Sequence, residues 1–457
     1  MRRVVRDVAF LMVLAWVGLN VSFLGTSDRL DKYLQDLINT HLGSFIYPHQ
    51  PSPDITVLLL TDHVIGTQEM GGRWPARYDF HGRVLKAILA QRPKAVFIDF
   101  LWLSQRPEAS GNGPQDGAFL IRQLENYKKK GVPVYLAGNP AVKKNWADID
   151  HLVTWVSVPL TFHVTDFIAR DYAPWFRDTQ TAAFRIATDL YPQRFTHPPT
   201  ETMDIVWGTA ENPLNLDWLQ GEATNNGALD VLAKGYAGVS MSVPYTTTLF
   251  VRDLLNPRDE TIEAVDRKLR NYLHDKVVMY GANLEGINDL VFTPARTTLP
   301  GVYLHAMALD NLLNWGNGYK SESGATRTNA LLSHELLSML AVFPVAFLCA
   351  LIHHVSSGRL PETSYRLQRL RACIHWAHSH KFFAVLLVSA GLVCWFGMVA
   401  WFEYDRLNYS ASVVVGYLQV IALGFFVEKT ALLDKAGAAF TTLKARLGMA
   451  EESKGET

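Results

Sequence analysis

Four long apolar stretches bracket one large polar block, and this layout limits what the chain can fold into. Each stretch has 17 to 21 residues and no Asp, Glu, Lys or Arg. A helix of that length crosses a hydrocarbon core of roughly 30 Å. We therefore predict four transmembrane helices with a folded block between the first and the second. The four stretches are Val8–Leu24, Leu336–Ile352, Phe382–Phe402 and Ala411–Val427.

Positive charge indicates on which side of the membrane each segment lies. Arg2, Arg3 and Arg6 precede the first stretch. The loop 355–381 has a clear excess of Lys and Arg over acidic residues, whereas the loop 403–410 has no such excess. Because cytoplasmic loops carry this excess, we expect both termini inside and the large block outside. A signal peptide is the alternative for the first stretch, but no convincing A-x-A cleavage site follows it, which favours an uncleaved anchor.

These two observations divide the chain. We expect the large block to be one extracytoplasmic domain of residues 26–330. The other segments are a cytoplasmic N-terminus (1–7), a first span (8–25), a second span (331–354), a basic cytoplasmic loop (355–381), a third span (382–402), a short periplasmic loop (403–410), a fourth span (411–427) and a cytoplasmic amphipathic tail (428–457).

Composition excludes some classes of function. The net charge is zero, which removes the electrostatic case for a nucleic-acid partner. The three cysteines, Cys349, Cys373 and Cys394, all follow the outer block. The block therefore cannot depend on disulfides, and its length allows it to bury enough apolar surface without them.

The outer block alternates strand and helix patterns. Continuous β-rich apolar runs are typical of strands that are covered on both faces, and amphipathic runs follow them. This alternation predicts an α/β fold with a mostly parallel sheet and helices on both faces. The predicted strands are 55–61, 94–100, 132–136 and 276–280, with a short one at 204–207. The predicted helices are 80–89, 118–130 and 302–313, with a turn entering a helix at 172–187. We expect residues 316–329 to be a linker.

Two parts of this block resemble the type-two CHASE family of bacterial extracytoplasmic sensory domains. The matching positions are Gly72-Arg73-Trp74-Pro75, Arg77, His81, Asp99, the stretch His274–Ala282 with Gly281, Asp289, Thr293-Pro294, Pro300-Gly301-Val302, His305-Ala306 and Asp310–Leu313. The resemblance implies one N-terminal span, a sensory domain and further spans in a bacterial inner membrane. In that family the last span usually leads to a kinase or cyclase. Only residues 428–457 follow it here, so we expect the output to belong to another chain.

Charged and polar side chains lie at or after the ends of the predicted strands. Ligands of open α/β sheets bind at the carboxyl ends of strands, so these side chains are candidates for a ligand site. The candidates are Asp62, Arg73, Asp99, Asn283 and Asp289. The alternative, which we favour from the sequence, is that they cap helices and anchor the Trp74-Pro75 loop through buried ion pairs. Trp74, Pro75, Gly281, Pro300, Gly301 and His305 are expected to serve the fold, with His305 as a core histidine.

No nucleophile–base pair or phosphate-binding loop has the required spacing, so we expect no enzyme and no cofactor. The histidines of the basic loop (His353, His354, His375, His378 and His380) lie near Cys373. A membrane interface explains them better than a metal site, and we expect no metal. The tail 428–457 has the pattern of an amphipathic helix that lies on the membrane or docks a partner.

Two functions remain. One is a sensor that relays an extracytoplasmic signal to a separate cytoplasmic effector. The other is a scaffold subunit of an envelope complex that uses the same domain for docking. Both require the lipid bilayer and a protein partner, and either allows a homodimer.

Overall fold

The computed structural model describes residues 27–43, 46–66, 74–103, 115–158, 168–210, 212–215, 244–255, 262–284, 289–294 and 298–321, together with single helical residues within 9–12, 340–347 and 391–404. The chain forms two compact units. One unit is Asp36–Glu322, and the other combines Met1–Gln35 with Ser323–Thr457. The four predicted spans, the basic loop and the tail lie almost entirely outside the described residues. Within the described part, no helix is long and apolar enough to cross a membrane.

The unit Asp36–Glu322 is built on one six-stranded sheet. Its strands are β1 (Ile55–Thr61), β2 (Ala95–Ile98), β3 (Val134–Ala137), β4 (Thr154–Val156), β9 (Thr248–Phe250) and β10 (Val277–Asn283). Their order is β4-β3-β2-β10-β1-β9, and all five neighbouring pairs are parallel. The α/β prediction with a parallel sheet is therefore confirmed.

The described part of the chain also contains three two-stranded ribbons. They are β5 (Asp171–Tyr172) with β8 (Met203–Asp204), β6 (Trp175–Phe176) with β7 (Thr179–Gln180), and β11 (Leu290–Phe292) with β12 (Thr298–Pro300), all antiparallel. The helices are α1 (Ser27–Ile38), the π-helical turn Asn39–Gly43, α2 (Asp62–Ile65), α3 (Tyr78–Ala90), α4 (Gln115–Lys129), α5 (Pro140–Asn145), α6 (Ala182–Leu190), α7 (Val251–Leu255), α8 (Ile262–Leu273) and α9 (Val302–Trp315), with 3-10 turns at Pro192–Arg194 and Gly316–Gly318.

Helices cover both faces of the sheet. Side chains alternate along each strand, so each face carries apolar side chains that pack against the helices. On one face, Leu58 and Tyr280 belong to a buried apolar cluster that also contains residues of α3, α4 and α8. On the other face, the ring of Phe97 lies 5.3 Å from the ring of His305 in α9. The central strands are buried throughout, which explains their continuous apolar sequence.

Three predictions from the sequence are incomplete or wrong. Strands β4 and β9 were not predicted, because each has only three residues and carries no measurable period. Helix α8, with 12 residues, was not predicted either. The predicted linker 316–329 is wrong at its start. Tyr319, Lys320 and Ser321 are buried, since their segment packs on β8 and its neighbours.

Candidate functional site

Three of the predicted site residues lie at one edge of the sheet, because three parallel strands end there. Asp62 follows β1, Asp99 follows β2, and Asn283 is the last residue of β10 and lies opposite Thr61 of β1. The backbone N–H of Asp99 donates to the carbonyl of Tyr280 at 2.8 Å, which continues the pairing of β2 with β10. The carboxyl edge of the central strands is therefore the candidate site.

Asp99 and Asp289 form the electrostatic centre of this edge. The Asp99 side chain is only 10% exposed. Burial raises the pKa of Asp99 well above its usual value, and the nearby Asp289 carboxylate raises it further. Burial also raises the pKa of Asp289. Like charges in a poorly solvated place disfavour double ionisation, so the two carboxyl groups hold protons more tightly than free aspartates do.

His305 lies beside this pair and is neutral. Its Nε2 atom is 3.9 Å from Oδ1 of Asp99, which is too long for a hydrogen bond. Burial lowers the pKa of His305 to about 3, so the contact is not an ion pair near neutral pH. His305 is buried, and its assignment to the fold stays a prediction.

Tyr172 sets the orientation of the His305 ring. The Tyr172 hydroxyl lies 2.7 Å from Nδ1 of His305 and accepts the backbone N–H of Ala183 at 3.2 Å. Because the hydroxyl accepts from Ala183, its own proton is available to Nδ1. When the hydroxyl donates to Nδ1, the imidazole carries its proton on Nε2, the nitrogen that faces Asp99.

Two glycines allow the start of α9 to approach this edge. A Cβ atom at Gly281 would lie 2.6 Å from Cβ of Val302, and one at Gly301 would collide with the Asp289 carboxylate. The N–H of Gly301 also donates to the carbonyl of Asp289 at 2.8 Å. Both family-motif glycines therefore have a steric role, which the sequence pattern could not explain.

The other predicted residues are less closely associated with Asp99. Asp62 begins the short helix α2 and is half-buried. Trp74 and Pro75 are exposed, and the Trp74 ring lies 6.2 Å from that of Phe100. Pro300 ends β12 and is buried. Arg73 lies outside the described residues, so its predicted pairing with the aspartates stays a prediction.

The chemistry of this arrangement suits binding. It offers carboxyl oxygens and an imidazole N–H in a poorly solvated place, which suits a ligand with hydrogen-bond donors or a positive charge. Among the described residues, no group of three His, Cys, Asp or Glu side chains could hold a metal ion. Tyr172 was the participant that sequence reasoning missed, since nothing local links it to residues more than a hundred positions away.

The fold is a parallel α/β sheet, and the titratable side chains lie at the carboxyl ends of its central strands, where open α/β sheets bind their ligands. The profile of the CHASE2 domain family matches residues 8–349, which is more than half of the chain. The chain therefore belongs to the CHASE2 family, a family of extracellular sensory domains. No curated protein and no solved structure matches the chain significantly.

Proposed function

We propose that the protein is a multi-pass inner-membrane sensor. Its extracytoplasmic CHASE2 domain binds a signal at the edge formed by Asp99, Asp289 and His305, and passes the change to a separate cytoplasmic partner. Both termini lie in the cytoplasm in this proposal. It assigns binding and relay to the chain, and no catalytic step, cofactor or nucleic acid.

The observation that carries the proposal is the pair of partly buried acidic side chains, Asp99 and Asp289. In the part of the chain that the structure describes, no Lys or Arg forms an ion pair with Asp99 or Asp289. Burial raises the pKa of both carboxyl groups, and Asp289 raises that of Asp99 further, so burying them in the ionised form opposes folding. A helix cap or an ion pair would act on the pKa in the opposite direction to burial. This unfavourable arrangement is what supports a binding role.

The ligand test is thermal melting of the full-length protein in detergent, with and without a periplasmic extract. We expect the extract to raise the melting temperature of the wild type by mass action. Asp99→Asn should keep the fold and lose this increase, whereas the exposed-site control Asp178→Asn should retain it. An equal increase in Asp99→Asn would show that the edge is not the binding site.

The topology test uses reporter fusions. A reporter after Thr457 should report from the cytoplasm, and one inserted at Gly324 from the outside, as the distribution of Lys and Arg requires. Reports from the same side at both positions would contradict the proposed arrangement of spans.

A scaffold role is the second candidate, and exposed apolar side chains near the same edge favour it. Leu101 and Leu103 follow β2 and are 52% and 64% exposed, and Trp74 is 41% exposed. Co-purification from native membranes separates the two functions. A kinase or cyclase partner supports the sensor, and components of secretion, motility or polymer export support the scaffold.

A further inference from the structure

One short segment contacts both halves of the candidate site. Residues 168–172, which we call the connecting segment, run from a bridge with β11 into strand β5. The N–H of Ala169 donates to the carbonyl of Phe292 in β11, the strand that directly follows Asp289, at 2.8 Å. At its other end, the Tyr172 hydroxyl contacts His305. Any rearrangement of Asp289 or His305 therefore bears on this segment.

The same segment holds the chain that enters the domain. The buried Arg170 guanidinium binds the Asp36 carboxylate through two hydrogen bonds of 2.7 and 2.8 Å. Asp36 lies in α1, downstream of the first predicted span. This bidentate geometry fixes the direction as well as the distance between the two side chains.

Strand β8 extends the connection to the chain that leaves the domain. It pairs with β5, and the N–H of Ile205 donates to the carbonyl of Arg170 at 2.7 Å. The Asp204 carboxylate accepts from the Asn39 amide at 3.0 Å, and the Asp204 N–H donates to the carbonyl of Lys320 at 2.8 Å. Asp204 thus contacts the entering and the leaving segment at once.

The β5–β8 ribbon has only two residues in each strand. So short a ribbon has little stability from main-chain pairing alone and depends on its side-chain contacts. The Tyr172 hydroxyl joins the ribbon to His305, and the Asp204 carboxylate joins it to Asn39 of the entering segment. Packed elements of this kind move as a unit and do not deform gradually.

We infer that the connecting segment and its partner strand β8 transmit changes at the Asp99–Asp289–His305 edge to the segments 36–43 and 319–321, through which the domain continues toward the predicted first and second spans. This inference rests on the proposed function, because it names the route by which that site acts on the rest of the chain.

The test is hydrogen–deuterium exchange of the full-length protein in detergent, with substitutions as the probes. Tyr172→Phe removes only the hydroxyl that contacts His305. We expect the amides of 36–43 and 319–321 to exchange several-fold faster than in the wild type. The matched control is Tyr127→Phe, which removes a buried hydroxyl bonded to the Leu85 carbonyl on the opposite face of the sheet. It should leave both segments unchanged.

Two further variants make the test independent of one substitution. Asp99→Asn alters the site itself and should change exchange in the same two segments. Asn39→Ala removes the hydrogen bond between Asn39 and Asp204. Because coupling between two sites is reciprocal, this variant should speed exchange at the start of α9, around His305. Wild-type exchange in both segments in Tyr172→Phe and Asp99→Asn would overturn the inference, as would an equal effect of Tyr127→Phe.

The inference and the proposed function fail separately. If exchange follows these expectations but no periplasmic component raises the melting temperature, the route stands and the sensor role fails. If a component raises the melting temperature but leaves exchange in 36–43 and 319–321 unchanged, the site stands and the route is wrong.

Discussion

Acidification should stabilise the outer domain through Asp310. This residue is buried in α9 and accepts hydrogen bonds from the Tyr47 hydroxyl, the Ser52 N–H and the Asn314 amide. Burial nevertheless raises its pKa from 3.8 to about 6. The folded protein therefore binds this proton more tightly than the unfolded chain. The resulting stability is complete below the unfolded pKa and is lost as the pH rises through about 6.

The magnitude follows from the pKa difference. About two pKa units at roughly 1.36 kcal/mol each give an upper limit of about 3 kcal/mol. Between pH 7 and pH 4.5 the titration is partial, and the gain is about 2 kcal/mol. His305 acts in the opposite direction, because its pKa is lowered to about 3 and its contribution is lost as the pH falls below the unfolded value of 6.5. This contribution of His305 is the same in the wild type and in an Asp310 variant, so it cancels when their unfolding free energies are compared.

The assay is urea denaturation of the full-length protein at pH 7 and pH 4.5, followed by tryptophan fluorescence. Relative to Asp310→Asn, the wild type should gain about 2 kcal/mol of unfolding free energy at the lower pH. Asp178→Asn, an exposed aspartate, controls for a general charge effect. Equal pH dependence of wild type and Asp310→Asn would refute the argument that burial controls this carboxyl group.

Three further predictions concern the fold. Arg170→Ala should lower the unfolding free energy by about 3–5 kcal/mol, because it leaves a carboxylate without its buried partner; an unchanged melting temperature would contradict this. Gly281→Ala should cost about 1–3 kcal/mol through its clash with Val302, whereas Gly117→Ala, which has open space, should be neutral or stabilising; equal losses in urea denaturation would refute the packing argument. Residues 28–325 contain no cysteine and should fold under reducing conditions as a monomer or weak dimer, as measured by light scattering and circular dichroism; aggregation that the intact chain relieves would argue against an independent domain.

The sequence predicted the central layer of the fold because that layer is buried on both faces. Continuous apolar runs such as Ile55–Thr61 leave few alternatives to a parallel strand. The order of strands was not predictable. Strand β10 lies between β1 and β2, although most of the domain's chain separates it from both. Pairing over such distances leaves no local pattern, and strands of three residues leave none either.

The candidate site was predictable only in part, for the same reason. Parallel strands place their carboxyl ends together, so the gathering of Asp62, Asp99 and Asn283 at one edge followed from the fold class. The contact between Tyr172 and His305 did not, since it depends on how a two-residue strand packs against α9. The sequence also suggested ion pairs for these aspartates; Arg73, the predicted partner, lies outside the described residues, so that pairing stays a prediction.

Two acidic side chains lie at helix α9, namely Asp310 within the helix and Asp99 beside His305. They differ in their hydrogen-bond donors. Asp310 has three hydrogen-bond donors, which join the entering chain at Tyr47 and Ser52 to the helix. A buried polar group that is satisfied in this way fixes one arrangement of the fold. Near His305, Asp99 has no donor among the described residues within hydrogen-bonding distance, and Asp289 makes its charge less favourable. A fold selected for stability alone would replace such a group by an apolar one. Under the proposed function, a ligand at the carboxyl edge of the sheet supplies a donor to Asp99.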